Sequence, residues 1–369
     1  MKINHIGDYL MCKTIRSIAI LILLLFISVA AYSQQASFKR GVIIPHWMSD
    51  LVHDNKKANP YVLDQEGVQW ISEQGFDHLR IKVDSYLLND KTGKFDATKL
   101  QPLHNAITWA KKYKLGVVMV VTSLPGYHDY PRGTQVAKDS PTPFNDKSTL
   151  KKAKKFWQRL AKELASYDDN LRFEILSNPK VDNQKIYDDF QTQMLAVIRK
   201  SNTTRMVYLS TRQSNIETIN DFTFPKNDSN TALAIDYWGP DVFAFQWKAE
   251  LPLVEFPGIV PDLTEFADKD DPIQKFSKTA LTIPKLIAPL QELATWKKQQ
   301  AKNREVYISS YGVLTYRVGK QSTTNYIQAM QSGIEDNGFS WAIYDYKSGC
   351  AIRGEDNEPT VIMKALNMR

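Results

Sequence analysis

Residues 75–121 read GFDHLRIKVDSYLLNDKTGKFDATKLQPLHNAITWAKKYKLGVVMVV, and this stretch decides the fold. His78–Val83 and Gly116–Val121 are short β-rich runs whose apolar content suits parallel strands covered on both faces. Between them Pro102–Tyr113 places Leu103, Ile107 and Ala110 on one helical face. Strand, helix, strand is the repeating unit of a parallel sheet, because parallel neighbours need a long crossover.

The same alternation continues outward. Further strands are expected at Val42–Trp47, Arg172–Leu176, Met206–Ser210, Ala232–Tyr237, Val306–Ser310 and Ser340–Tyr344, and a second amphipathic helix over Phe156–Leu164. Eight strands with intervening helices predict an α/β fold, a single-domain (β/α)8 TIM barrel spanning residues 34–369. No internal repeat or flexible linker divides it. The proline-rich segment from Glu250 to Pro284 is expected to be a long loop after the sixth strand that walls the cleft.

Composition narrows the function classes. The 369 residues are 43% hydrophobic and 24% charged, which is ordinary for a globular chain. The net charge of +7 is a mild, dispersed excess and only a weak argument for a nucleic-acid or anionic-lipid partner, so no nucleic acid is expected. At the N-terminus, Lys13 and Arg16 precede an apolar run from Ile18 to Ala31, followed by Ala31-Tyr32-Ser33. That is the pattern of a signal peptide over residues 1–33, so the chain is expected to be exported, to the periplasm or the medium. The run is too short for a comfortable membrane span, which needs roughly 20 residues. Removing it takes away Cys12 and leaves Cys350, expected in the core, as the one thiol; no internal disulfide can form. The histidines are scattered without metal-ligand spacing, so no metal or cofactor is expected.

Barrel chemistry sits at the C-terminal strand ends. There the sequence resembles glycoside hydrolase family 5, the cellulase-like retaining glycosidases. The resemblance is carried by Arg40-Gly41-Val42-Ile43-Ile44-Pro45-His46-Trp47, by Gly75-Phe76-Asp77-His78-Leu79-Arg80, by Leu124-Pro125-Gly126, by Asp169 to Leu176, by Phe256-Pro257-Gly258 and by Trp341-Ala342-Ile343-Tyr344-Asp345. It covers essentially the whole chain after the leader, with Lys82 where the family has proline.

The resemblance also implies a loss. The family's acid/base glutamate, in Asn-Glu-Pro, aligns with Asn178 of Ser177-Asn178-Pro179. Its nucleophile aligns with Ser310 of Ser309-Ser310-Tyr311-Gly312. Two family histidines align with Thr122 and Asp236. An amide cannot donate the proton, and loss of a general acid alone costs about 10²–10⁴ in rate. Retaining hydrolysis needs two carboxyl groups roughly 5 Å apart. The resemblance therefore implies a pseudoenzyme that holds a β-linked glycan or oligosaccharide in the former active-site cleft. The expected sugar contacts are Arg80, Trp47, Tyr237, Trp238, Gln246, Tyr311 and Trp341, with Tyr127, Phe243, Phe245 and Trp247 as neighbouring aromatics; flat rings suit the C–H faces of sugars. Two other readings stand beside it. One is an atypical hydrolase with relocated carboxylates, drawn from Asp84, Glu174, Asp236 and Asp345, or with Ser310 activated by His46 or His128. The other is a scaffold with a filled, vestigial cleft whose outer helices bind a protein partner.

Overall fold

The computed structural model describes residues 38–49, 61–90, 94–128, 140–246, 251–268 and 271–368; the expected leader and Trp247 lie outside them. Eight strands form the barrel: β1 Arg40–Met48, β2 His78–Asp84, β3 Gly116–Leu124, β4 Leu171–Glu174, β5 Val207–Ser210, β6 Thr231–Asp236, β7 Val306–Tyr311 and β8 Ser340–Ile343. Each pairs in parallel with the next, and β8 pairs with β1, which closes the barrel. All eight coincide with the expected strands to within three residues, and residues 37–369 form one compact unit. Six main helices cover the barrel: α1 Gln65–Glu73, α2 Gln101–Lys112, α3 Lys147–Glu163, α4 Gln184–Ile198, α5 Ile283–Gln300 and α6 Lys320–Asp336. Several start where a short polar side chain takes a free amide: Asp64 accepts from Gly67 N and Asp146 from Thr149 N, both at 2.7 Å. Among the described residues, no helix is long and apolar enough to cross a membrane.

Strand alternation separates two interiors. Leu79, Ile81 and Val83 of β2 point out and join the apolar layer under the helices, where Trp157, Phe173, Ile308 and Trp341 also pack. His78 and Arg80 point inward, where the barrel is polar. His78 bonds Tyr307 at 2.9 Å and Asp77 at 2.6 Å. Nearby, Glu305 takes bonds from Arg172, Tyr208 and Ser340 at 2.8, 2.7 and 3.0 Å. Gly41 makes room for this inward set: a Cβ there would stand 2.2 Å from the His78 ring, which its two bonds hold in place.

Asp77 ties the base of the barrel together. It accepts from the backbone N–H groups of Lys39 and Arg40 at 2.9 and 3.1 Å as well as from His78. Burial raises its pKa, but these donors outweigh burial and hold the carboxyl below the ordinary aspartate value. Its stabilising effect is therefore complete above that ordinary value and fades as the pH drops through the depressed one. Asp77→Asn should cost about 2 kcal/mol at pH 7, and the difference from wild type should shrink below pH 3.8. Urea unfolding across this range checks it; a pH-independent difference contradicts it.

The segment after β6 departs from its expected place. Its short strands Gly258–Ile259 and Ala280–Leu281 pair with each other, and Val254, Phe256, Val260 and Leu263 are buried in the apolar core. None of its described residues lines the cleft, so it is a packed flank and not a cleft wall.

Candidate active-site cleft

A cleft of about 1090 Å³ opens at the C-terminal strand ends. It is open, which removes the basis for a filled, vestigial site. Among the expected residues it brings together Arg80, Asn178, Asp236, Tyr237, Trp238 and Ser310.

All but Arg80, which lies inside β2, are placed at or just beyond a strand end. Asn178 follows β4 and adopts a left-handed backbone, φ +45°, which asparagine tolerates better than most residues. Ser310 reaches the cleft because β7 shifts register between Ile308 and Ser310. Its hydroxyl accepts the Trp238 indole N–H at 3.0 Å. Asp236 ends β6, accepts from Ser309 Oγ at 2.6 Å and donates its own N–H to Ser214 O at 2.6 Å. Tyr237 donates its hydroxyl to Leu286 O at 2.6 Å, joining the cleft to α5; burial, then Asp241 and Glu292, push its pKa up, so it stays protonated.

Arg80 is held from below. Its Nε and Nη2 donate to Glu174 at 2.8 and 2.6 Å, and both side chains are almost wholly buried. Burial works against both charges, but the paired carboxylate more than offsets it for Arg80 and keeps the guanidinium charged. Arg80 is thus mainly one half of a buried ion pair.

Five expected residues are elsewhere. Trp341 is fully buried on the outer face of β8, packed against Phe76 and Tyr311, with its indole N–H on Glu335 at 2.9 Å. It lies near the start of its strand, opposite Arg40, and so is far from the rim. Tyr311 is turned outward by the same register shift that exposes Ser310, and is fully buried against Trp341. Gln246 is a clamp: its amide donates to Val254 O at 2.8 Å and accepts from Val254 N at 2.7 Å. Thr122 is buried along β3, its hydroxyl 3.4 Å from Val83 O, and does not line the cleft. Trp47 is half-buried against the core and is also outside the lining. Among the neighbouring aromatics, Tyr127 and Phe243 are core residues and Phe245 lines the cleft. Cys350 is buried, as expected.

Of the four carboxylates considered for a relocated reaction, only Asp236 lines the cleft. Asp84 is bonded to Ser123 and to Tyr86 N, Asp345 is buried on Ser348, and Glu174 is taken by Arg80. His46 lines the cleft with its Nε2 3.3 Å from the Tyr344 hydroxyl, whereas the His128 side chain lies outside the described set. Three lining carboxylates were not anticipated: Glu217, Asp241 and Glu292. Tyr344 was also missed, although it directly follows β8, where strand-end logic places a functional residue. Its ring meets Trp238 edge-on at 5.4 Å and lies under the Lys82 ammonium at 5.8 Å. Trp238 in turn stacks on Phe245 at 5.0 Å. Three half-buried rings thus face the same space as the amide of Asn178 and the carboxylate of Asp236.

Known proteins agree with this architecture. The chain is 23% identical over 339 residues to Endoglucanase C of Acetivibrio thermocellus, covering 88% of this chain and 95% of that one. It is 23% identical over 343 residues to Endoglucanase 3 of Fibrobacter succinogenes, of which it covers 50%. The fold matches the endoglucanase Cel5A of Thermotoga maritima with a TM-score of 0.67 at 19% identity, over 89% of this chain and 97% of that one. Cellulose synthase subunit Z of Clostridioides difficile matches with a TM-score of 0.67 at 20% identity, over 89% and 99%. The model of the family described as Cellulase (glycosyl hydrolase family 5) matches residues 48–349, most of the barrel, and the chain therefore belongs to that family.

Proposed function

We propose that this protein binds a β-linked glycan or oligosaccharide in the barrel cleft without hydrolysing it. The observation that carries the reading is the pairing of an open, ring-lined cleft with Asn178 and Ser310 at the two positions where the family resemblance calls for glutamates. Trp238, Phe245 and Tyr344 offer C–H-binding surface, while Asn178 and Asp236 offer hydrogen bonds to hydroxyls. The endoglucanase relatives favour a β-glucan ligand. A second reading, hydrolysis with relocated groups, draws on Asp236, the one carboxylate of the four considered that reaches the cleft.

Calorimetry and product analysis with cello- and manno-oligosaccharides separate the two. Binding with no new reducing ends over long incubation is the expected result. Product formation abolished by Asp236→Asn would overturn it in favour of the second reading. Absence of both across the panel would overturn both and move the weight to a protein partner. We also propose export, from the Lys13–Ser33 pattern; the secreted chain should begin at Gln34 by mass spectrometry, and retention of the leader would refute it.

A further inference from the structure

The cleft continues sideways past the strand ends. The connection from β5 to β6 carries only the six-residue 3-10 turn Ile216–Asp221, where helices α1 to α6 run 9 to 18 residues. The resulting furrow belongs to the same cavity. Ser214 lines it just before the turn, and Glu217 and Asn220 line it from the turn; Pro289, Glu292 and Trp296 line it from α5. The last three are spaced i, i+3, i+7, so they form one stripe of that helix.

Ser214 supplies an independent sign of a ligand. It is 2% exposed, yet its hydroxyl has no hydrogen-bond partner among the described residues. Its backbone is fixed by bonds to Thr211 O and from Asp236 N and sits at φ +52°. A buried hydroxyl left unpaired is unfavourable and uncommon in native proteins. The surrounding chemistry selects its partner. Exposed carboxylates at Glu217 and Glu292 disfavour an anion, and the polar lining disfavours a purely apolar molecule. Carboxylate, amide and hydroxyl groups beside Pro289 suit the hydroxyls and C–H face of a sugar, with Trp296, buried on Phe222 and Phe224, backing the furrow.

We infer that this furrow is a side subsite that receives a one-sugar branch on the glycan whose backbone lies in the main cleft. The inference rests on the glycan-binding reading above, and it adds the substrate class: branched, not linear, chains.

The test is calorimetry on the full protein with matched pairs: cellotetraose against the same tetrasaccharide carrying α-xylosyl branches, and mannotetraose against its α-galactosyl form. The branched member of one pair should bind about tenfold more tightly, as two or more added hydrogen bonds would give. Ser214→Ala, which removes a hydroxyl without changing the packing, and Glu292→Ala, at an exposed site, should each weaken only the branched ligand, by about fivefold. Linear binding with no gain from the branch, or a gain insensitive to both variants, overturns the side subsite and leaves the glycan reading intact. Failure of linear and branched ligands alike defeats both.

Discussion

Arg80→Leu is expected to lower the free energy of unfolding by about 3–5 kcal/mol, because it removes one partner of a buried pair and strands the other. Arg80 and Glu174 are both almost fully buried and share two bonds of 2.6 and 2.8 Å. Without the guanidinium, the Glu174 carboxylate stands beside Asp236 in a site shielded from water, with Lys82 as the remaining cationic influence. The folded-state pKa of Glu174 in the variant must then rise well above its unfolded value. The stability this group allows is fully present below the unfolded pKa and is lost as the pH climbs through the raised one. The deficit of Arg80→Leu should therefore be smallest in acid and grow toward neutrality. The double variant Arg80→Leu, Glu174→Leu should recover most of the loss, since hydrophobic replacement of a whole buried pair is often neutral or stabilising. Urea unfolding of the wild type, Arg80→Leu, Glu174→Leu and the double variant closes the cycle. A single-variant loss below about 1 kcal/mol would mean that the pair is not what holds the barrel's upper interior together.

This role for Arg80 shows where sequence reading reaches its limit. Strand existence is legible because parallel barrel strands need apolar residues on both faces, so runs such as Gly116–Val121 stand out from amphipathic helices like Lys147–Glu163. The side to which a given residue points depends on register, and register is not written in composition. One shift in β7 sends Ser310 into the cleft and Tyr311 into the core. Trp341 lies in the right strand but on the wrong face and at the wrong end, and Tyr344, three residues later, takes the rim. Glu217 and Glu292 belong to segments whose approach to the cleft follows from the shortness of the β5–β6 connection. That approach depends on spatial neighbours far apart in the chain. Asp236, Tyr237 and Trp238 reach the cleft because they occupy the end of β6 or the residues next to it, where one rule about barrels is enough, whereas Arg80, third of seven residues in β2, is singled out by the family resemblance alone.

Those two tryptophans give the sharpest separation of binding from folding. Trp238→Ala should weaken oligosaccharide binding at least 30-fold, the loss of about 2 kcal/mol that marks an aromatic hot spot. Trp238 is half-buried, stacks on Phe245, meets Tyr344 edge-on and anchors Ser310 through its indole N–H. Truncation therefore removes the central ring of the three and frees its neighbours to move. Trp238→Phe keeps a ring but loses the bond to Ser310, and should fall between wild type and alanine. Stability should change by only about 1–2 kcal/mol for a partly exposed ring. Trp341→Ala should behave in the opposite way. It opens a cavity beneath α6 and removes the indole bond to Glu335, which keeps its ion pair with Arg40 at 2.9 Å, so the cavity dominates a cost of about 3–5 kcal/mol, while molecules that remain folded keep wild-type affinity. Calorimetry and denaturant unfolding on the same preparations read both axes. If Trp238→Ala binds within threefold of wild type, the sugar does not rest on this ring, and the cleft reading fails at its centre. If Trp341→Ala loses affinity without losing stability, the buried placement of Trp341 is wrong and the rim must be redrawn around it.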